Sequence, residues 1–399
     1  MVTAMATIYH HRDTGHCQPI LRIVILVAAT ATLGWGWRWG KAGPALAPLL
    51  VWILARTPER RHRFAAAAAY FLAGSIGLPQ GAATFFGPGH ELLGTVFWIA
   101  SAILLALPWI WASNCTGTVI ALILDAVPPL GCFGWLSPLT AAGVLYPGTG
   151  LAGLAMLLGL YAAIGARHRS LVAVTLILAT VANLAFLPGN RPSVPPPGWI
   201  GIDTSIGPVS SNPWQAAMQR SAWLAKAQNS AREAKIVILP ETIAGPWLPG
   251  TAEQIRAAIP ARQIWLVGAT AWVSGQRADA LMEVSRSKTP NQPLFVSPFP
   301  VPVSMWRPWT RDGYLATWWE PVRTLTGVRT WVAICYDQLL PWIWIEAVVQ
   351  SPDVVLAVSN DWWARGTKVA QIQRATTWAW VRLMNIEVLK AENHQGLRD

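Results

Sequence analysis

Apolar positions run almost without interruption through the first half of the chain. Stretches near residues 20–37, 43–55, 64–79, 92–113, 117–134, 147–166 and 170–188 carry few polar side chains, and Asp125 is the only charged residue between Glu91 and Arg167. A hydrocarbon core about 30 Å thick takes about 20 apolar residues per helix. The pattern therefore predicts a multi-pass α-helical membrane bundle over residues 1–189, with six or seven spans because the second and third stretches are short. Beyond residue 198 the pattern changes. Residues 199–206, 235–240, 263–273, 280–284, 330–334 and 354–359 read as strands, and 214–231, 252–261 and 369–384 as helices. Strands alternating with helices predict a layered α/β domain over residues 199–399. Residues 190–198, within Leu187-Pro-Gly-Asn-Arg-Pro-Ser-Val-Pro-Pro-Pro-Gly198, are too rich in proline and glycine for either element and read as a semi-rigid linker.

Composition agrees with this division. Hydrophobic residues make up 53% of the chain and charged residues 12%, which no ordinary soluble protein shows. The polar first 19 residues, with no small-residue cleavage site after the apolar run that follows, predict a retained first span rather than a removed signal peptide. Arg56, Arg60, Arg61 and Arg63 cluster in one loop, and Arg167 and Arg169 in another. With a cytoplasmic N-terminus, seven spans put both clusters on the cytoplasmic side of a bacterial inner membrane and everything after Asn190 in the periplasm. Arg38 and Lys41 fall on the other side. Trp35, Trp37 and Trp39 suit an interfacial aromatic belt or ordinary packing equally. The net charge of +11 does not point to nucleic acid, because no basic stripe interleaved with aromatics occurs. A transporter is a poor fit, since Asp125 is the only ionisable residue well inside the apolar helices.

Three apolar strands end abruptly in polar or reactive residues: Val237-Ile-Leu-Pro-Glu241-Thr, Val332-Ala-Ile-Cys335-Tyr336-Asp, and Val354-Val-Leu-Ala-Val-Ser-Asn360-Asp361. Open α/β sheets build sites at the carboxyl ends of strands. A cysteine nucleophile, a carboxylate that accepts and returns its proton, and nearby donors suit acyl transfer. Each residue has a plainer reading alone: a buried structural cysteine, a charge opening a helix, a turn. Their order on successive strand ends favours a site. Cys335 is also the only cysteine after residue 132, and an unpaired thiol in an oxidising compartment is a liability unless used.

The order of Glu241, Cys335 and Asp361 within these motifs resembles the nitrilase, or carbon–nitrogen hydrolase, superfamily. It is more closely similar to apolipoprotein N-acyltransferase, which joins an N-terminal helix bundle to a nitrilase-like domain. Gly134-Trp-Leu-Ser-Pro-Leu-Thr-Ala-Ala-Gly-Val-Leu-Tyr-Pro147 and Pro300-Val-Pro-Val-Ser-Met-Trp-Arg-Pro308 look like the conjugal transfer TraB branch of that group. The resemblance implies an αββα sandwich and a Glu-Lys-Cys triad, with Glu241 as general base and Cys335 as nucleophile, Tyr336, Asn360 and Asp361 in support, and neither metal nor cofactor. It implies a lysine near Phe295-Val-Ser-Pro-Phe-Pro-Val-Pro302, where none stands; Lys288 lies upstream as a substitute. The acyltransferases also continue through more sheet and a closing membrane helix, so the α/β domain is expected to be short at its C-terminal end. Two functions follow as expectations. One is an acyltransferase taking an acyl chain from membrane phospholipid through a Cys335 thioester, with a lipoprotein or conjugation-apparatus partner. The other is a nitrilase-fold scaffold of the conjugation apparatus that has lost turnover. Seventeen tryptophans follow residue 198, and the exposed ones among them would serve a lipid interface or a partner equally.

Overall fold

The computed structural model describes residues 17–187 and 194–394, with side chains from Ile20 onward. The polar N-terminal segment and residues 190–193 of the linker lie outside the described residues. Helices α1 (Cys17–Trp35), α2 (Ala42–Arg56), α3 (Arg60–Gly74), α4 (Leu78–Phe86), α5 (Glu91–Ala106), α6 (Cys115–Ala126), α7 (Leu151–Gly165) and α8 (Arg169–Ala185) fill the first half. Several expected spans are shortened by backbone chemistry. The stretch 64–79 breaks at Gly74, and Pro79 opens the separate helix α4, because proline lacks the N–H needed in a helix interior but suits its first turn. Pro128 and Pro129 end the 117–134 stretch at Ala126 in the same way. By length and composition, Ile20–Trp39 and Glu91–Trp111 suffice to cross a membrane; α2, α6, α7 and α8 are apolar but shorter. The outward faces are apolar too, with Leu171, Val174, Ile177, Val181 and Leu184 of α8 and Leu92, Val96, Ile99 and Ile103 of α5 exposed.

The second half is a layered α/β unit. One sheet has the order β1 (Trp199–Gly201), β2 (Ile236–Ile238), β3 (Ile264–Val273), β4 (Gln276–Ser285), β5 (Phe295–Val296). The other has the order β6 (Arg323–Leu325), β7 (Val328–Ile334), β8 (Val354–Asn360), β9 (Glu387–Asn393). Strands β1, β2 and β3 are parallel, as are β7, β8 and β9, while β3 and β4 form a hairpin. Alternation along each strand divides the core into three layers. Val237 and Leu239 face helices α9 (Pro213–Ser230) and α10 (Pro249–Ala258). Ile236 and Ile238 face Val332, Ile334, Leu356 and Val358 between the sheets. Trp331, Ala333 and Val355 face α11 (Pro341–Gln350) and α12 (Val369–Met384). The result is an αββα sandwich.

The outer helices α11 and α12 share one continuous core with α1–α8. Tyr336 Oη donates to the Cys132 carbonyl at 2.7 Å, and Arg382 Nη2 donates to Asn183 Oδ1 at 2.7 Å. A Cβ on Gly143 would overlap the Ala379 carbonyl of α12. The loops after α1 and α3, residues 128–150 and the end of α8 all lie at this seam. Loops 56–63 and 166–169 gather at the other end of the helices, where Arg167 Nη2 donates to the Ala55 carbonyl at 3.3 Å and Arg63 caps the Thr57 and Ile110 carbonyls.

Candidate active site

Three strand ends converge as their polar termini predict. Strand β2 runs into Leu239-Pro240-Glu241, and Gly268 on β3 lets that loop approach: a Cβ there would overlap the Pro240 carbonyl and lie 2.7 Å from the Glu241 Cα. Strand β7 ends at Cys335, whose φ of 47° places it on a left-handed elbow that lifts the thiol out of the strand direction. Asp337 holds that elbow. Its Oδ2 accepts from the Ile334 N–H at 3.1 Å, and its Oδ1 accepts from Ser297 Oγ at 3.0 Å and the Phe299 N–H at 3.2 Å. At the end of β8, Asn360 Nδ2 donates to Thr242 Oγ1 at 3.0 Å, beside Glu241.

Glu241, Cys335 and Asn360 open into one cavity of about 680 Å³. Its polar floor also includes Thr270 and Tyr314, whose hydroxyls are 3.0 Å apart. Its far wall is apolar and comes from the helical half: Leu78, Phe85, Phe86, Leu93 and Phe97, with Phe85 stacked on Trp362. Asp361 is buried behind Asn360. Tyr336 turns the other way, its hydroxyl on the Cys132 carbonyl and its ring against Trp135, so it braces the seam and does not line the cavity.

Electrostatics at the floor are set by carboxyls. Burial raises the Glu241 carboxyl well above its ordinary value, and the charge of the adjoining Asp279 adds to this, while the adjoining Cys335 thiol opposes it. Burial pushes Asp279 up to about 7. Glu241 Oε2 and Asp279 Oδ1 have no hydrogen-bond partner among the described residues, and two buried carboxyls side by side favour proton uptake by the pair over ionisation of both. Burial, then the charges of Glu241 and Asp361, raise the Cys335 thiol well above its usual value. Lys288 does not relieve this: its side chain is exposed and its Nζ lies 3.6 Å from Glu283 on the surface. Ser297, buried within the stretch where the resemblance implies a lysine, points its hydroxyl at Asp337. Among the described residues, Arg220 is the basic side chain lining the cavity, and its Nε donates to Gln254 at 2.6 Å.

Asp279 was not marked by any motif. Its one signal is a charge inside the apolar run Ala278-Asp-Ala-Leu281 of β4, and a lone acid in a strand is more often an edge residue than a site. Asp361, Glu392 and His394 also bring three ligand atoms within 4.8 Å of one another. Arg374 fills that cluster's charge, with its Nε 2.9 and 2.8 Å from the two Glu392 oxygens and its Nη2 3.9 Å from Asp361.

No family model matches the chain. It is 31% identical over 354 residues to a probable conjugal transfer protein TraB of Sinorhizobium fredii, covering 85% of this chain and 89% of that protein. It is 30% identical over 369 residues to conjugal transfer protein TraB of Agrobacterium fabrum, covering 86% of each. Among solved structures, a CN-hydrolase superfamily protein of Xanthomonas campestris aligns at 17% identity and a TM-score of 0.33, over 49% of this chain and 74% of that one. A glutamine-dependent NAD+ synthetase of Acinetobacter baumannii aligns at 18% identity and a TM-score of 0.28, over 40% of this chain and 31% of that one. Identity of 30–31% over 85–86% of this chain carries the assignment: this chain belongs to the TraB family of conjugal transfer proteins.

Proposed function

We propose that this chain is a multi-pass inner-membrane protein whose periplasmic C–N-hydrolase-like domain transfers an acyl group through Cys335, in the service of conjugal transfer. The observation that carries this reading is the cavity, which joins the Cys335–Glu241 floor to an apolar wall from the helical half. A phospholipid acyl chain lying along Phe85, Leu93 and Phe97 would bring its ester carbonyl to the thiol. The Cys335 sulfur would attack that carbonyl while its proton passes to the Glu241–Asp279 pair, and the lysophospholipid alkoxide would leave with that proton. An amine, such as the N-terminus of a lipoprotein, would then take the acyl group from the thioester and release the thiol. Two adjoining carboxyls whose proton affinity is raised by burial can accept and return a proton, which is the task of a general acid–base.

The test is incubation of the detergent-solubilised chain with phospholipid labelled in its acyl chain. Label should appear on Cys335, be released by hydroxylamine, and be absent from Cys335→Ala. Absence of label from the wild type would sink the enzyme reading. A second reading, a scaffold without turnover, is favoured by one observation: the charges that act on Cys335 are those of the carboxyls Glu241, Asp361 and Asp279, and the one basic side chain lining the cavity among the described residues, Arg220, is bonded to Gln254. A lost oxyanion donor typically costs about 10²–10³ in rate. Cys335→Ala with normal conjugation frequency would support the scaffold.

Membrane embedding is supported by the apolar outer faces of α5 and α8 and by the basic loops gathered at the end away from the α/β domain. Reporter fusions at Ala65 and Ser211 are expected to report cytoplasm and periplasm respectively. A cytoplasmic signal from the Ser211 fusion would overturn the seven-span topology.

A further inference from the structure

Arg38 and Lys41, the two basic residues that run against the charge asymmetry of the loops, are brought by the fold into a recess of about 550 Å³ on the seam between the two halves. Lys368, Arg374 and Lys390 of the α/β domain line the same recess, with Trp378 between them. Of these five cations only Arg374 forms an ion pair among the described residues, with Glu392 and Asp361. The Lys41 ammonium stands 4.9 Å from the Trp378 ring centroid, and the Arg38 guanidinium 4.3 Å from that of Trp35. Burial lowers the Lys390 pKa, and the charges of Arg374 and Lys41 lower it further while Glu392 and Asp203 oppose them.

The backbone points the same way. Helix α12 begins at the recess, with Lys368 immediately before it at a φ of 67° and no acid in its first turn. A helix N-terminus carries partial positive charge, ordinarily offset by an acidic or hydroxyl residue. Here the Thr367 hydroxyl accepts from the Val369 N–H at 3.2 Å, and between them stands another cation, Lys368, in a backbone region that L-residues rarely adopt. Glu392 and Asp361 offset Arg374, whereas Arg38, Lys41 and Lys368 have no acidic partner among the described residues, and cations gathered so are mutually destabilising unless an anion joins them.

We propose that this recess binds a phosphate-bearing anion, held by Lys41, Lys368 and Lys390 at the start of α12. The exposed Trp39 and the end of the apolar stretch Ile20–Trp39 lie beside it, which places an anionic lipid headgroup within reach of its acyl chains. A free phosphate compound would satisfy the same cations. The site does not depend on acyl transfer at Cys335; only its lipid source rests on membrane embedding.

The test uses the full chain in a neutral detergent, with binding read by native mass spectrometry. Phosphatidylglycerol, phosphatidylcholine and inorganic phosphate are added in separate arms. Phosphatidylglycerol should stay bound where phosphatidylcholine does not. Lys368→Gln with Lys390→Gln should weaken it by about 30-fold, on the usual worth of two cations near an anionic headgroup. Without added anion the double variant should melt no lower than the wild type, because repulsion has been removed. Inorganic phosphate bound as tightly as the lipid, and lost in the variant, would assign the site to a free phosphate compound. If the Lys390 substitution unfolds the chain, Lys41→Gln, at an exposed position, gives the same comparison. Equal binding by wild type and variant, or retention of neither anion, would overturn the proposal.

Discussion

The folded chain is expected to lose stability as pH rises from 5 to 8, lowering the melting temperature by about 10 °C. Six buried carboxyls outside the apolar helical half are raised above their ordinary range, in each case chiefly by burial; Glu241 and Asp337 are two of them. Asp279 stands at about 7, Glu320 at about 8, Glu346 at about 7 and Asp361 at about 6. Below about pH 4 both folded and unfolded chains hold these protons, and the groups cost nothing. Above that, the unfolded chain releases them while the folded chain must keep them or bury a charge. The unfolded state then binds fewer protons, so stability falls with pH until the folded groups have titrated, near pH 8. Each unit of difference is worth about 1.36 kcal/mol, so a net loss of a few kcal/mol follows even after structural relaxation. At about 2–4 °C per kcal/mol for a domain of this size, the shift is readily measured. Tryptophan-detected melting at pH 5, 6, 7 and 8 is the measurement. Glu320→Gln and Asp279→Asn should each flatten the profile. A melting temperature that rises with pH would refute the assignment of these groups as buried and proton-bound.

The second large effect is expected at Gly143. It lies in the short helical turn Ala142–Leu145, and any Cβ there would overlap the Ala379 carbonyl of α12. Neither side of that contact is a flexible side-chain end; both are helical backbone. Gly143→Leu can be accommodated only by separating α12 from the helical half, which exposes the apolar face shared by Trp380, Trp344 and Leu139. Overpacking of this kind costs about 1–3 kcal/mol when neighbours can shift and more when they cannot. The variant should melt several degrees lower, or fail to accumulate. Gly159→Ala is the control, since nothing lies within 4 Å of its added Cβ, and it should be neutral or slightly stabilising by helix propensity. Equal melting of the two variants would mean that the seam is not packed as described.

What was legible in the sequence follows physical signal. Helix α12 was bounded correctly because its apolar stripe is regular and Asn385, in the left-handed region, stops it. Strands β2, β7 and β8 were legible as buried apolar runs, and their polar ends did converge on one cavity. Strand β9 was not, because Glu387, Lys390, Glu392 and Asn393 give it a polar reading, although its last three residues are buried against Asp203, Thr204 and Asn360. The start of β4 was placed four residues late, since Gln276 and Arg277 are polar and partly exposed at the hairpin tip. Helix α11 was passed over because an element apolar on all sides shows no amphipathic period. At the site, Glu241 and Cys335 carried motif context, whereas Asp279 reaches them from a neighbouring strand. Contacts made across a sheet leave no mark in local spacing. The same is true of Arg38 and Lys41, whose partners lie more than 300 residues away.

The shared core between α11, α12 and the helical half has a consequence for motion. Two domains joined by a small polar interface rock against each other, and many enzymes admit substrate by such a hinge. This interface is built like a protein interior, with Tyr336, Trp342 and Trp380 buried in it, so the halves move as one body. The mouth of the cavity straddles that weld, and its width is therefore set when the chain folds. Under the acyl transfer proposed above, access to Cys335 would be controlled by what can rearrange at the rim, namely the segment 301–305 and the Trp362–Trp363 pair over Phe85. Gating here would be a matter of side chains and one loop, on the nanosecond-to-microsecond scale of such elements, rather than of domain opening.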